Sequence, residues 1–147
     1  TTYAVSGNVW HDSGAGSGIV GNGSKDGTEP GLLGITVCLY KDNNNKLITP
    51  PVSSGILEGN NRDCIMTIGR DLGYEVVEKD ITRSELYMAD EVFMTGTAAE
   101  ISPIRTIDGR VIGAGSIGAV TNHIGQVFHK AALGQDKRYV NWLDLVK

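Results

Sequence analysis

Two cysteines, three histidines and no excess of basic charge in 147 residues set the first bounds. Cys38 and Cys64 lack the spacing of a metal-binding pair. A disulfide between them fits the count, and buried free thiols are the expected state. His11 reads as a surface residue. His123 and His129 fall on one helix but off one face, which disfavours a shared metal site. Lys and Arg number 13 against 17 Asp and Glu, a formal net charge of −4. No basic face is left to neutralise phosphates, so nucleic acid is excluded as a partner. No apolar run reaches the length of a membrane span, and no secretory leader is visible. What is present is a hydrophobic content of 40%, enough for the core of one ordinary domain or two small ones.

Composition changes near residue 41. In residues 1–40, Val5, Gly7 and Val9 alternate with polar residues, and "GITVCLY" places Ile35, Val37 and Leu39 on one face. Both stretches read as β-strands. The long glycine-rich loop between them carries Asp12, Asp26 and Glu29. These are oxygen ligands of the kind that hold Ca²⁺, with a plain solvated loop as the competing reading. Residues 41–45, "KDNNN", form a polar turn and the expected boundary.

Residues 46–147 alternate α and β, an α/β (α+β) pattern. "KLIT" is a short strand stopped by Pro50-Pro51. A helix over 61–72 is expected, capped by Asn61, buried through Ile65, Ile68 and Leu72, and ended by Gly73. "YEVVEKD" is a strand. Thr82 and Glu85 form a capping box on a short helix. "EVFMTGTAAEISPI" reads as strand, small-residue turn and strand. A closing helix over 119–133 presents Val120, Ile124, Val127, Phe128 and Ala131 on one face.

Just before that helix, Gly113, Gly115 and Gly118 fit G-x-G-x-x-G. The strand ahead of them is three residues at most, and no second strand with its acid follows, so the dinucleotide reading lacks its context. Two other places suit an anion. In "LEGNNRD", Gly59, Asn60 and Asn61 stand at a helix start, where amide N–H groups and the positive dipole end point outward. In "MTGTAAE", Gly96, Thr97 and Ala98 offer N–H groups and a hydroxyl just after a strand. Converging, the two loops would hold a phosphate.

The segments "LITPPVSSGILEGNNRD", "RDLGYEVVEKDITRSELYMADEVFMTGTAAEISPIRTIDGRVIG" and "YVNWLDLV" resemble the C-terminal part of branched-chain amino-acid aminotransferases. These are class IV, fold-type IV enzymes that use pyridoxal 5′-phosphate. In this family a glycine-containing loop stands where "IGAGSIG" does, which makes the dinucleotide fingerprint accidental. The resemblance implies amino-group transfer between Leu, Ile or Val and 2-oxoglutarate in the intact family. It places Leu57 beside the cofactor ring, Asn60, Asn61, Gly96 and Thr97 at its phosphate, and Ala98 at the substrate carboxylate. The family usually has Ile-Thr where Asn60 and Asn61 stand; an amide still donates a hydrogen bond, but the hydroxyl is gone.

The family's lysine, which holds the cofactor covalently, and its acid motif both precede the "TPP" segment. Lys41 and Lys46 lie too close to that segment to serve, so no transamination is expected from this chain alone. Residues 1–40 resemble the start of a surface-protein repeat of the SdrD B/Cna-B type, an incomplete β-sandwich hairpin, in which acidic loop residues bind Ca²⁺. Three readings follow: an aminotransferase fragment, an adhesin-like extracellular binding module, or a chimeric reading frame. The first implies cytoplasm and the second the cell surface. With only the N-terminal hairpin expected to cover the two long helices, a marginal or homo-oligomerising protein is predicted.

Overall fold

A computed structural model describes the backbone of Tyr3–Val5 and Thr36–Lys41, and residues 45–97 and 99–144. The stretch expected to hold Ca²⁺ through Asp12, Asp26 and Glu29 lies outside the described residues, as does Ala98.

The strands are β1 (Tyr3–Val5), β2 (Thr36–Lys41), β3 (Lys46–Thr49), β4 (Glu75–Glu78), β5 (Glu91–Gly96), β6 (Glu100–Ile107) and β7 (Arg110–Val111). The helices are α1 (Asn60–Asp71), α2 (Arg83–Tyr87) and α3 (Ala119–Ala132), with 3-10 turns at Val52–Ser54 and Lys137–Trp142. All seven strands form one mixed sheet in the order β1-β6-β5-β2-β3-β4, with β7 paired to β6. β2 runs antiparallel to both β3 and β5, and β3 runs parallel to β4. Hence β3, β4 and β5 point the same way and end at one sheet edge, where α1 starts.

The expected boundary at 41–45 falls inside this sheet. Residues 42–45 link two paired strands, Leu39 standing opposite Ile48. "KDNNN" has the polar composition of a hairpin turn as much as of a linker, and composition alone does not separate the two.

Alternation sorts the strand residues to two faces. Leu47 and Phe93 look toward α1 and α3, packing with Ile65, Ile68, Val120, Ile124, Val127 and Ala131. Ile48, Val92, Met94 and Ile104 look the other way, joined by Ile107 past a register irregularity in β6, and are covered by Ala89, Ile112 and the partly buried Val77, Ile81, Leu86 and Tyr87. The apolar sides of both long helices thus find cover on this sheet; β1 and β2 do not form the expected N-terminal hairpin, since β6 and β5 stand between them. At about 25 cal/mol per Å² of apolar area, each large buried side chain contributes roughly 2 kcal/mol.

Helix ends follow local chemistry. α2 has five residues and holds through its capping box: the Glu85 amide donates to the Thr82 hydroxyl at 3.3 Å, and the Thr82 amide donates to Glu85 at 3.0 Å. α1 departs from expectation. Its N-cap is Gly59, with no side-chain cap. Asn61 sits inside the first turn, and its side chain is used elsewhere. Glycine at an N-cap costs only a few tenths of a kcal/mol relative to Asn, so the helix tolerates it.

The C-terminal 3-10 turn is fastened to α1 by Tyr139, whose hydroxyl donates to Asp71 Oδ2 at 2.8 Å and whose ring stacks on Trp142 at 4.3 Å. Burial, then the hydrogen bond to Asp71 and its charge, push the Tyr139 phenol up to about 12. Because the folded value is raised above the unfolded value of about 10, the stabilisation is fully present below pH 10. It is lost as pH rises through about 12. A titration followed by the ultraviolet absorbance of tyrosinate should show one late-ionising tyrosine that Tyr139→Phe removes. An unchanged late component in that variant refutes the assignment.

Candidate functional site

The shared edge of β3, β4 and β5 gathers the residues expected at an anion. Asn61 Nδ2 donates to the Gly96 carbonyl at 3.0 Å, so the start of α1 and the turn after β5 meet. Gly59 leads into the helix in an extended conformation, φ −88° and ψ 140°. Asn60 and Thr97 are exposed on either side, and Gly96 is buried. A cleft of about 420 Å³ opens at the helix start, lined by Glu58, Gly59, Asn60, Arg62 and Asp63. Leu57, at 63% exposed, sits in the loop before the helix with its side chain in solvent. Asn60, Asn61, Gly96 and Thr97 are therefore brought together; Leu57 stands at the margin.

Arg62 is the residue that sequence reasoning missed. It is only 7% exposed. Nε donates to Thr49 Oγ1 at 3.3 Å, and Nη2 donates to the Pro50 carbonyl at 2.8 Å and to Glu78 Oε2 at 2.6 Å. Through it the first turn of α1 is tied to the ends of β3 and β4, as Asn61 ties it to β5. A signal did exist: a cation in a first helical turn opposes the dipole and needs a reason to be there. Thr95 was missed as well. Its hydroxyl is fully buried one residue before Gly96, and it lacks a hydrogen-bond partner among the described residues. A threonine in a strand is ordinary, so nothing in the sequence marks it.

The electrostatics restrict what can bind. Arg62 is committed to Glu78, while Glu58 and Asp63 flank the cleft. An anion here has to be held by backbone N–H groups and not by a cationic patch. The first turn of a helix supplies them, since its leading N–H groups have no intrahelical acceptor.

The glycine-rich run lies at the opposite sheet edge. Its helix start is already filled: the Glu91 carboxylate accepts from the Val120 amide at 3.1 Å, the Thr121 amide at 2.7 Å and the Thr121 hydroxyl at 2.6 Å. A Cβ at Gly118 would lie 1.8 Å from Glu91 Cδ, and one at Gly113, where φ is +50°, would lie 2.0 Å from the Asp90 carbonyl oxygen. These glycines make room for the protein's own carboxylate and backbone, not for a pyrophosphate.

Other candidates resolve simply. Lys46 pairs with Glu75 at 3.1 Å at the start of β3, and Lys41 stands opposite Lys46, both at the far edge from Gly96. Lys79, at the near edge, is paired with Glu85. Cys64 is a free, half-buried thiol on α1; burial and then the Asp63 charge push its pKa up, which makes it a poor nucleophile. His123 and His129 are both exposed on α3. Among the described residues no cluster of three metal-ligating side chains occurs, and no helix is long and apolar enough to cross a membrane.

The family profile for amino-transferase class IV matches residues 34–107. The chain belongs to the amino-transferase class IV family. The branched-chain-amino-acid aminotransferase of Escherichia coli K12 is 44% identical over 108 residues, 74% of this chain and 35% of the relative. The T.th. branched-chain amino acid aminotransferase complexed with N-(5′-phosphopyridoxyl)-L-glutamate superposes with a TM-score of 0.73 at 42% identity, covering 78% of this chain and 37% of that one. The same T.th. enzyme with pyridoxamine 5′-phosphate gives the same TM-score and identity. This class IV chain thus spans about a third of the length of the curated relative, 35%. The match begins at residue 34 and takes in both β2 and residues 41–45.

Glu91→Ala should destabilise the protein by about 2–3 kcal/mol in urea unfolding, because it uncaps α3 and leaves the buried Thr121 hydroxyl unpaired. Gly118→Ala, which drives a methyl group into the same carboxylate, should lower stability too. Wild-type stability in both variants would remove Glu91 as the cap.

Proposed function

We propose that this chain is the cofactor-phosphate-holding part of a branched-chain amino-acid aminotransferase. Asn60, Asn61, Gly96 and Thr97 line the position of the phosphate of pyridoxal 5′-phosphate, with Leu57 toward the ring and Ala98 toward the substrate carboxylate. One observation carries the reading: Asn61 joins the uncapped start of α1 to the turn after β5. That bond supports reading the two loops as one site. Bound there, the cofactor would supply an electron sink for amino-group transfer between Leu, Ile or Val and 2-oxoglutarate. The chain's own residues bind and orient the phosphate through N–H groups, and they fix the helix start against three strand ends.

The aminotransferase unit, on this reading, starts at or before β2 and belongs to a cytoplasmic protein. Turnover is not expected from this chain alone, because Lys41 and Lys46 stand at the far edge and Lys79 is engaged by Glu85.

Equilibrium dialysis tests the proposal. Pyridoxal 5′-phosphate should be retained and displaced by millimolar inorganic phosphate, while pyridoxal, lacking the phosphate, should be retained at least about ten-fold less, the loss of a charge-assisted contact set. Equal retention of the two would refute a phosphate site. Borohydride trapping on one lysine, together with conversion of leucine to its keto acid, would refute the expected inactivity.

A further inference from the structure

Asn61 does more than stand at the rim. Its side-chain amide is half-buried, and one of its two N–H donors goes to the carbonyl of Gly96, 35 residues away in sequence and the last residue of a strand. An asparagine placed only to cap this helix would sit at the N-cap, and that position is Gly59. The neighbouring Arg62 turns the other way, to Thr49, Pro50 and Glu78. Consecutive residues of one helical turn thus grip opposite sides of the same sheet edge. Arg62 fixes the helix start to β3 and β4. The described bond from Asn61 fixes it to β5 and to the turn that carries Thr97.

We infer that Asn61 is a positioning residue: its Nδ2–H···O=C bond to Gly96 sets the separation of the two anion-binding loops before any ligand arrives. Preorganised N–H groups bind an anion without first having to order a loop, so the bond contributes to affinity though this N–H is engaged by protein. The link to a ligand rests on the proposed function; the link between the loops does not.

Hydrogen exchange on the ligand-free full chain tests the latch itself. A neutral hydrogen bond of this kind corresponds to roughly a five-fold change in a local opening equilibrium. In Asn61→Ala the amides between β5 and β6 should exchange about five-fold faster, with α3 unchanged. Asn61→Asp is the second variant. It keeps the shape, loses the donor and places a negative charge in a first helical turn, which favours the helix. It should loosen the same turn with no fall in melting temperature. Unchanged exchange in both variants, or a rise spread evenly over α3 as well, overturns the inference.

Dialysis of Asn61→Ala then reads the ligand side. Retention of pyridoxal 5′-phosphate should weaken about five-fold while that of pyridoxal stays the same. An unchanged affinity for pyridoxal 5′-phosphate overturns the role in binding. If wild-type protein retains no pyridoxal 5′-phosphate, the proposed function fails, and the exchange result alone decides whether Asn61 fastens the loops.

Discussion

A buried guanidinium is the constraint on which the site depends. Arg62 lies in the first turn of α1, where the helix dipole disfavours a cation, and it is almost wholly withdrawn from solvent. It is tolerated because Glu78 supplies an opposite charge and Thr49 and Pro50 supply oxygen acceptors. Removing Glu78 would leave the guanidinium without its counter-ion; with Glu78 43% exposed, the cost falls below the roughly 3–5 kcal/mol of a fully buried pair. Its bonds to Thr49, Pro50 and Glu78 hold the first turn of α1, which also carries Asn61, against the ends of β3 and β4.

The two long helices use their starts in opposite ways. α3 receives a carboxylate from β5 into its first turn, so its positive end is satisfied from within. α1 has no side-chain cap and opens onto a cleft. Both sit on the same face of one sheet, one start at each edge. The filled one stabilises the fold; the other has no side-chain cap among the described residues. Both helices have glycine at the N-cap, and what separates their starts is Glu91, a residue that neither stretch contains.

The elements after residue 45 were legible because each carries a local signal. Pro50-Pro51 stops β3, Thr82 and Glu85 box α2, and the spacing of Ile65 with Ile68, and of Val120 with Ile124 and Val127, marks the buried helix faces. The start of α1 and the turn after β5 were legible as separate pieces and, through the family resemblance, as a pair. What the sequence hid is non-local. Nothing near Asn61 says that its amide reaches a strand end 35 residues on, and nothing near residue 41 says that β2 joins strands from both sides. Pairing partners are a property of the sheet. Polar turns look alike whether they end a domain or close a hairpin.

The place of β2 has one more consequence. It is the seam of the sheet: on one side stand β3 and β4, on the other β5, β6, β7 and β1, and no other described strand joins the two groups. A polypeptide started at residue 46 would keep both halves and lose the stitch between them. A chain merely nicked within 42–45 would keep every ladder bond. The permissible cut and the ruinous one are thus a few residues apart.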